Sequence, residues 1–359
     1  MSWPRTRLSE LLGVRLPIVQ APMAGGPTTP ELVAAVSEAG GLGSIGAAML
    51  GPDALRAAVR EVRSRTDRPF AVNLFAPLPS PQPGADVVAA VDAALAPHRR
   101  RLGLADPDRG APPPPPPAFD DQLTVVLDER VPVLSSTFGA IEAAPMREAG
   151  ITTIGTATSV AEARAQAEAG VEALVAQGAE AGGHRGTFLG DFAQALVGTM
   201  ALVPQVADAV DLPVIAAGGI ADGRGIAAAL ALGAEGAVLG TAFLACPEAG
   251  VSDGYRRRVL AADDTATSVT DVYTGRPARA IRTPLIDDLE RSDTAPAGYP
   301  AQAGLLADLR AAGVERDEPE LLFLLAGQAA GMSRPLPAGE LVATLARETE
   351  ERLRALSAR

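Results

Sequence analysis

The sequence contains no lysine; all 31 of its basic residues are arginine. Without an ε-amine there is no Schiff-base chemistry, and no Walker A loop, whose lysine reaches the terminal phosphates. Cysteine occurs once, at Cys246, so an internal disulfide and a multi-cysteine metal site are excluded. Set in "GTAFLACPEAG", Cys246 reads as a small buried hydrophobe. Histidine is nearly as scarce, with only His98 and His184, and neither stands in a cluster with metal-ligand spacing, so no metal site is expected. Long apolar runs are absent too. The start, "MSWPRTRLSELLGV", lacks a signal-peptide core and no segment approaches membrane-spanning length, so a soluble cytoplasmic protein with no membrane partner is expected. The net charge of -12 argues against nucleic acid or an anionic lipid surface. The cluster Arg99, Arg100 and Arg101 does not reverse this and reads as a solvated helix face.

What is present is a rhythm. Short Val- and Ile-rich runs alternate with alanine-rich stretches of helical spacing, the pattern of βα units around a parallel sheet. The candidate strands are Leu16–Pro22, Gly41–Gly46, Pro69–Phe75, Val131–Thr137, Ile151–Ala157, Val171–Gly178, Leu212–Gly219 and Ala234–Gly240. Stretches such as "TPELVAAVSEAG" and "DGRGIAAALALG" end on a glycine of the kind that stops helices. Eight such units predict an α/β fold, a (β/α)8 TIM barrel. Two segments break the rhythm. Residues 78–118 are proline-rich, end in the run Pro112–Pro117, and read as an insertion with an extended polyproline spacer. Residues 251–320 carry all three tyrosines, Tyr255, Tyr273 and Tyr299, and read as a small, mainly helical cap over the substrate. The barrel then comprises residues 1–250 together with 321–359, the last of which return as helix.

Barrel enzymes place their chemistry on loops at the C-terminal ends of the strands. Gly41, Gly43 and Gly46 spell a dinucleotide fingerprint, but they leave a helix and enter a strand, the reverse of the context that binds pyrophosphate. They read as a helix end and a tightly packed strand. The seventh candidate strand ends in Ala217, Gly218 and Gly219; the eighth ends in Leu239 and Gly240 and runs into Thr241. These glycines let backbone amides approach a ligand, as in the phosphate site that barrels build after their last two strands. With no lysine, cysteine pair or carboxylate–histidine cluster to do redox or covalent work, a phosphate-bearing cofactor must supply it. FMN fits best. Asn73 and Gln177 are neutral amides suited to a flavin edge, and the loop Ala21, Pro22, Met23 can line the ring. His98, in "APHRRR", reads as solvent-exposed, whereas His184 follows the sixth strand in "AQGAEAGGHRG".

Together "PIVQAPMAGG", "AVNLF", "STFG", "AQGAEAGGHRG", "AAGGIADG" and "AGQAAG" resemble the nitronate monooxygenase family (2-nitropropane dioxygenases), bacterial and yeast class. The match spans Pro17 to Gly331. The resemblance implies a TIM barrel with non-covalent FMN that oxidises alkyl nitronates such as propionate 3-nitronate with O2 through a flavin semiquinone, a detoxifying oxidoreductase. It implies His184 as the active-site histidine, giving a hydrogen bond or positive charge to the nitronate. Its implied FMN contacts are Ala21, Pro22, Met23, Asn73, Gln177, Gly182, Gly183, Ala217, Gly218, Gly219, Leu239, Gly240, Thr241, Gln328 and Gly331. Tyr299 and Phe138 are implied to face substrate. Cap lysines known in some members are absent here, which leaves Arg276, Arg279 and Arg282 as candidates for a substrate carboxylate. The alternatives are an NAD(P)H-dependent flavin reductase of enoyl-acyl-carrier-protein or quinone type, and an FMN-binding protein without turnover. The sequence leaves the oligomeric state open, a homo-oligomer included.

Overall fold

Nine short strands precede residue 240 in the computed structural model, which describes residues 3–79, 82–105, 107 and 116–358. They are β1 (Ile18–Gln20), β2 (Gly43–Gly46), β3 (Phe70–Phe75), β4 (Val133–Thr137), β5 (Thr152–Ala157), β6 (Ala173–Gln177), β7 (Gly183–His184), β8 (Val214–Ala217) and β9 (Gly236–Leu239). All but β7 join one parallel sheet in the order β1-β9-β8-β6-β5-β4-β3-β2. The ends meet: Val19 bridges Leu42, and the Gln20 amide donates to the Leu42 carbonyl at 2.9 Å, so the sheet closes into the expected (β/α)8 barrel. Each barrel strand lies within one of the eight stretches that the sequence marks as strands.

Local chemistry explains the units. Thr29 caps the helix Pro30–Glu38 by accepting from the Leu32 amide at 3.0 Å, with proline in its first turn. Gly40 then ends the unit at φ 92°, a left-handed turn that returns the chain to β2. The helix Arg7–Leu12 plugs the lower end of the barrel. Its Leu8 and Leu12 pack with the inward-facing Val19, Leu42, Ala71, Val133, Ile154, Ala173, Ile215 and Val238, each leucine worth roughly 1.5–3 kcal/mol of burial. A second apolar layer lies between sheet and helices, where Leu341, Val342 and Leu345 of the C-terminal helix Ala338–Ser357 pack with Leu32, Val36, Ile226 and Ala229.

Beyond β9 the chain builds β10 (Thr267–Thr270), β11 (Ala278–Ile281) and the helices Asp253–Leu260, Pro284–Arg291, Ala301–Leu305 and Ala307–Glu315. β11 pairs antiparallel with β10 on one edge and with β7 on the other, with Ala278 opposite His184. The returning tail adds to β11: the Ile281 amide donates to the Leu324 carbonyl at 2.9 Å. Two of the tyrosines fasten this tail, Tyr255 donating to the Leu325 carbonyl at 2.8 Å and Tyr273 to that of Leu321 at 2.9 Å.

The proline-rich segment is partly helical rather than extended throughout. It contains an 18-residue helix, Ala85–Leu102, with Pro97 inside it. Val91, Leu95 and Leu102 of that helix pack with Leu285, Leu289, Leu305 and Leu309. Arg99 and His98 are not solvated either. Arg99 is 1% exposed, its guanidinium bound to Asp308 at 2.7 Å, Asp92 at 2.9 Å and the Leu305 carbonyl at 2.9 Å. His98 Nε2 lies 3.3 Å from Asp288, and burial lowers its pKa. The reason is packing: the helix turns this face to the segment after β9 rather than to water. Pro112–Pro115 of the proline run lie outside the described residues.

Candidate active site

The loop that leaves β6 carries the chemistry, and it is held from both sides. Arg185, 1% exposed, donates from Nη1 to the Gly178 carbonyl at 2.6 Å and the Gln177 carbonyl at 3.1 Å, and from Nη2 to the Ala195 carbonyl at 2.7 Å. Burial lowers its pKa to about 10 against the opposing fields of Glu162 and Glu180, so it remains charged at neutral pH. Glu162 anchors the far side, accepting from the Phe188 and Leu189 amides at 2.6 and 2.9 Å and from the Thr158 hydroxyl at 2.7 Å. Between these anchors β7 aligns with β11, and that register places His184 in an aromatic cage.

Around the imidazole the ring centroids of Tyr299, Phe138 and Phe323 lie 5.6, 5.9 and 6.4 Å away, all edge-on. Phe138 holds φ at 73°, rare for a bulky residue, and is kept there by the Phe75 ring at 4.5 Å and the Arg276 guanidinium at 4.0 Å. Phe323 stacks on Tyr273 at 4.6 Å. Desolvation first, and the charge of Arg276 second, push the His184 pKa down to about 4. The resting imidazole is therefore neutral at neutral pH. Its tautomer follows from the neighbours. Thr274 Oγ1 gives its proton to the Arg276 carbonyl at 3.1 Å, so it accepts from His184 Nε2–H at 3.0 Å. Nδ1 keeps its lone pair and has no partner within the described residues.

The residues implied for a cofactor converge on the same end of the barrel. Gly240 packs on the Ala21–Met23 loop, since a Cβ there would stand 3.2 Å from Ala21 Cβ. Gly46 meets the same loop more tightly: an added Cβ would lie 2.5 Å from the Ala24 nitrogen. Gly218 and Gly219, following Ala217, have φ of 109° and 72°. Among the described residues the amides of Gly218, Gly219, Gly240 and Thr241 donate to nothing, which leaves four donors at the ends of neighbouring β8 and β9 for an anionic group. Thr241 Oγ1 accepts from the Gly327 amide at 2.9 Å, and Gln328 donates its amide to the Glu180 carbonyl at 3.0 Å, so the tail and the His184 loop close on each other. Gly182 permits that closure, because a Cβ there would lie 2.5 Å from Ala326 C, and Gly331 backs onto the Ala262 carbonyl. The Glu180 carboxylate is absorbed by the start of the helix Thr199–Ala209, accepting from the Thr199 amide at 2.9 Å.

Two polar expectations divide. Asn73 donates to Ser135 Oγ at 2.9 Å and keeps its Oδ1 free. Gln177 is spent on its own loop, donating to the His184 carbonyl at 3.1 Å and accepting from the Gly186 amide at 2.8 Å. Of the three candidate arginines only Arg276 faces the cage. Arg279 turns to the Ala179 carbonyl at 3.0 Å, and Arg282 pairs with Asp287 and Glu290. Thr274 and Phe323 escaped the sequence reading, because one sits in an ordinary turn and the other inside the apolar run "LLFLL".

This is a barrel oxidoreductase with an enclosed imidazole at the mouth and unspent amides beside it. Its relatives define it further. The nitronate monooxygenase family profile matches residues 5–348, and the chain belongs to that family. It is 41% identical over 354 residues to a probable nitronate monooxygenase of Staphylococcus saprophyticus, covering 96% of this chain and 98% of that one. Among solved structures it is similar to a nitroalkane oxidase from Streptomyces ansochromogenes, with 40% identity, a TM-score of 0.88, and coverage of 98% and 100%. It is also similar to FabK from Thermotoga maritima, at 35% identity, TM-score 0.76 and 99% coverage of both chains. Among the described residues no helix is long and apolar enough to cross a membrane, and no cluster of His, Cys, Asp and Glu could hold a metal ion.

Proposed function

We propose that the protein is an FMN-dependent nitronate monooxygenase that oxidises small alkyl nitronates, such as propionate 3-nitronate, with O2. The observation that carries this reading is the enclosed, neutral imidazole of His184 beside a phosphate-ready pair of strand ends. FMN would take its phosphate at the amides of Gly218, Gly219, Gly240 and Thr241 and its ring beside Ala21–Met23, with Asn73 Oδ1 at an edge. When bound, it supplies the electron transfer that no side chain here can perform.

The chain's own residues bind and orient. Phe138, Phe323 and Tyr299 crowd the half-buried imidazole and limit its contact with water, which strengthens charge interactions in the cage. An imidazole with a pKa near 4 is too weak a base to draw a carbon-bound proton from a neutral nitroalkane with ease, which favours a substrate that arrives already ionised. An anion in the cage raises the proton affinity of His184, and the imidazolium then donates from Nδ1 to a nitronate oxygen while Nε2 stays fixed by Thr274. Binding of nitronate is thus coupled to uptake of a proton.

The test is His184→Asn, which should retain FMN and lose nitronate turnover by about 100-fold or more; unchanged turnover would refute the assignment. A second reading, a nicotinamide-dependent reductase, is favoured by the likeness to FabK. Rapid bleaching of the bound flavin by NADH or NADPH, with no response to nitronate, would select it.

A further inference from the structure

One cation in the cage has no counter-ion. Arg276 donates from Nη2 to the Thr187 carbonyl, and no carboxylate pairs with it among the described residues. Burial lowers its pKa, with Tyr299 and Glu162 exerting only opposing fields at a distance. A guanidinium does not solve this by losing its proton, so the site carries a fixed, partly desolvated positive charge. Arg185 and Glu162 anchor the same loop through the Gly178 carbonyl and the Phe188 amide, so Arg276 is not its sole support. It stacks on Phe138, 4.0 Å from the centroid, while the Phe138 centroid lies 5.9 Å from His184 and 6.1 Å from Tyr299. The guanidinium is therefore one ring removed from the imidazole, and the distance between them is at most about 10 Å, where an effective dielectric near 20 still leaves a substantial field.

We infer that Arg276 sets the charge selectivity of this site by binding a carboxylate, or a similar anionic group, carried by the substrate a few bonds away from its nitronate. This rests on the reading of the site as a nitronate oxidase, in which His184 takes the nitronate itself. The two cationic positions then match a dianionic substrate, with the imidazole protonating on binding and the guanidinium charged throughout. Arg282 is excluded from the role by its carboxylate partners Asp287 and Glu290, and Arg279 turns away from the cage rings to the Ala179 carbonyl. No bond is made or broken by Arg276: it acts on binding, and its effect belongs in KM more than in kcat.

The experiment compares propionate 3-nitronate with ethyl nitronate, which lacks the carboxylate, in the wild-type enzyme, Arg276→Met and Arg276→Lys. Arg276→Met should raise KM for propionate 3-nitronate by about 10- to 100-fold, at least about tenfold more than any change it makes in KM for ethyl nitronate. Arg276→Lys should recover most of the loss. Parallel effects on both substrates, or none on either, would overturn the role of Arg276. A measurement free of variants guards against misfolding: with wild-type enzyme and ethyl nitronate as substrate, propionate should compete at least tenfold better than neutral propionamide, and equal inhibition would overturn the inference. Wild-type enzyme inactive on both nitronates would instead overturn the functional reading beneath it.

Discussion

Lowering the pH through the histidine range should leave His184 uncharged long after an ordinary imidazole has titrated. Its pKa is depressed from 6.5 to about 4 by burial among Phe138, Tyr299 and Phe323 and by the neighbouring charge of Arg276. At pH 6 such a group is about 99% neutral, whereas an unperturbed one is about one-quarter neutral. The assay is NMR of histidine-labelled protein. The chain has only His98 and His184, so one His98→Asn sample assigns both imidazoles. Linkage gives a second reading of the same shift. The unfolded chain protonates this residue near 6.5 and the folded one near 4, so full stability holds above 6.5 and is lost as pH falls, by about 1.4 kcal/mol per unit within that window. Urea unfolding at pH 7 and pH 5 should show this loss, and His184→Asn should remove its share. An imidazole of His184 titrating near 6.5 in the resting protein would refute the enclosed, neutral site.

Three further outcomes test the frame around it. Gly46→Ala forces a Cβ to within 2.5 Å of the Ala24 nitrogen, so the Ala21–Ala24 loop must shift; the expected loss is about 1–3 kcal/mol and a lower flavin content on purification, read from the visible-to-ultraviolet absorbance ratio. Arg99→Met removes the buried guanidinium that binds Asp308, Asp92 and the Leu305 carbonyl and should cost roughly 2–4 kcal/mol in urea unfolding, while the isolated surface pair Arg347–Glu351 should cost less than about 1 kcal/mol when broken. Cys246 is fully buried with its thiol pushed up to about 12, so a disulfide reagent should leave the native protein unmodified and react at once in denaturant.

The barrel was legible because its signal is local. Each strand is a short apolar run bounded by turn residues, and the buried sheet imposes that pattern wherever it occurs. The strand ends were legible for the same reason: Gly218, Gly219, Gly240 and Thr241 follow directly from knowing where β8 and β9 stop. What escaped depends on distant partners. β7 is two residues long and exists only because β11, some 90 positions later, pairs with it. The helix Ala85–Leu102 was masked by the prolines around it, and the burial of Arg99 is decided by Asp308, which no local spacing reveals. Gln177 has the composition of a ligand contact, yet its amide closes its own loop, a choice that only the position of Gly186 makes visible.

The measurement closest to the central claim is an anaerobic titration of the purified, FMN-loaded protein with propionate 3-nitronate, followed by admission of oxygen. The account predicts that nitronate alone changes the flavin absorbance, that oxygen restores it, and that NADH and NADPH do neither. A flavin that ignores nitronate but is bleached by a reduced nicotinamide would contradict it.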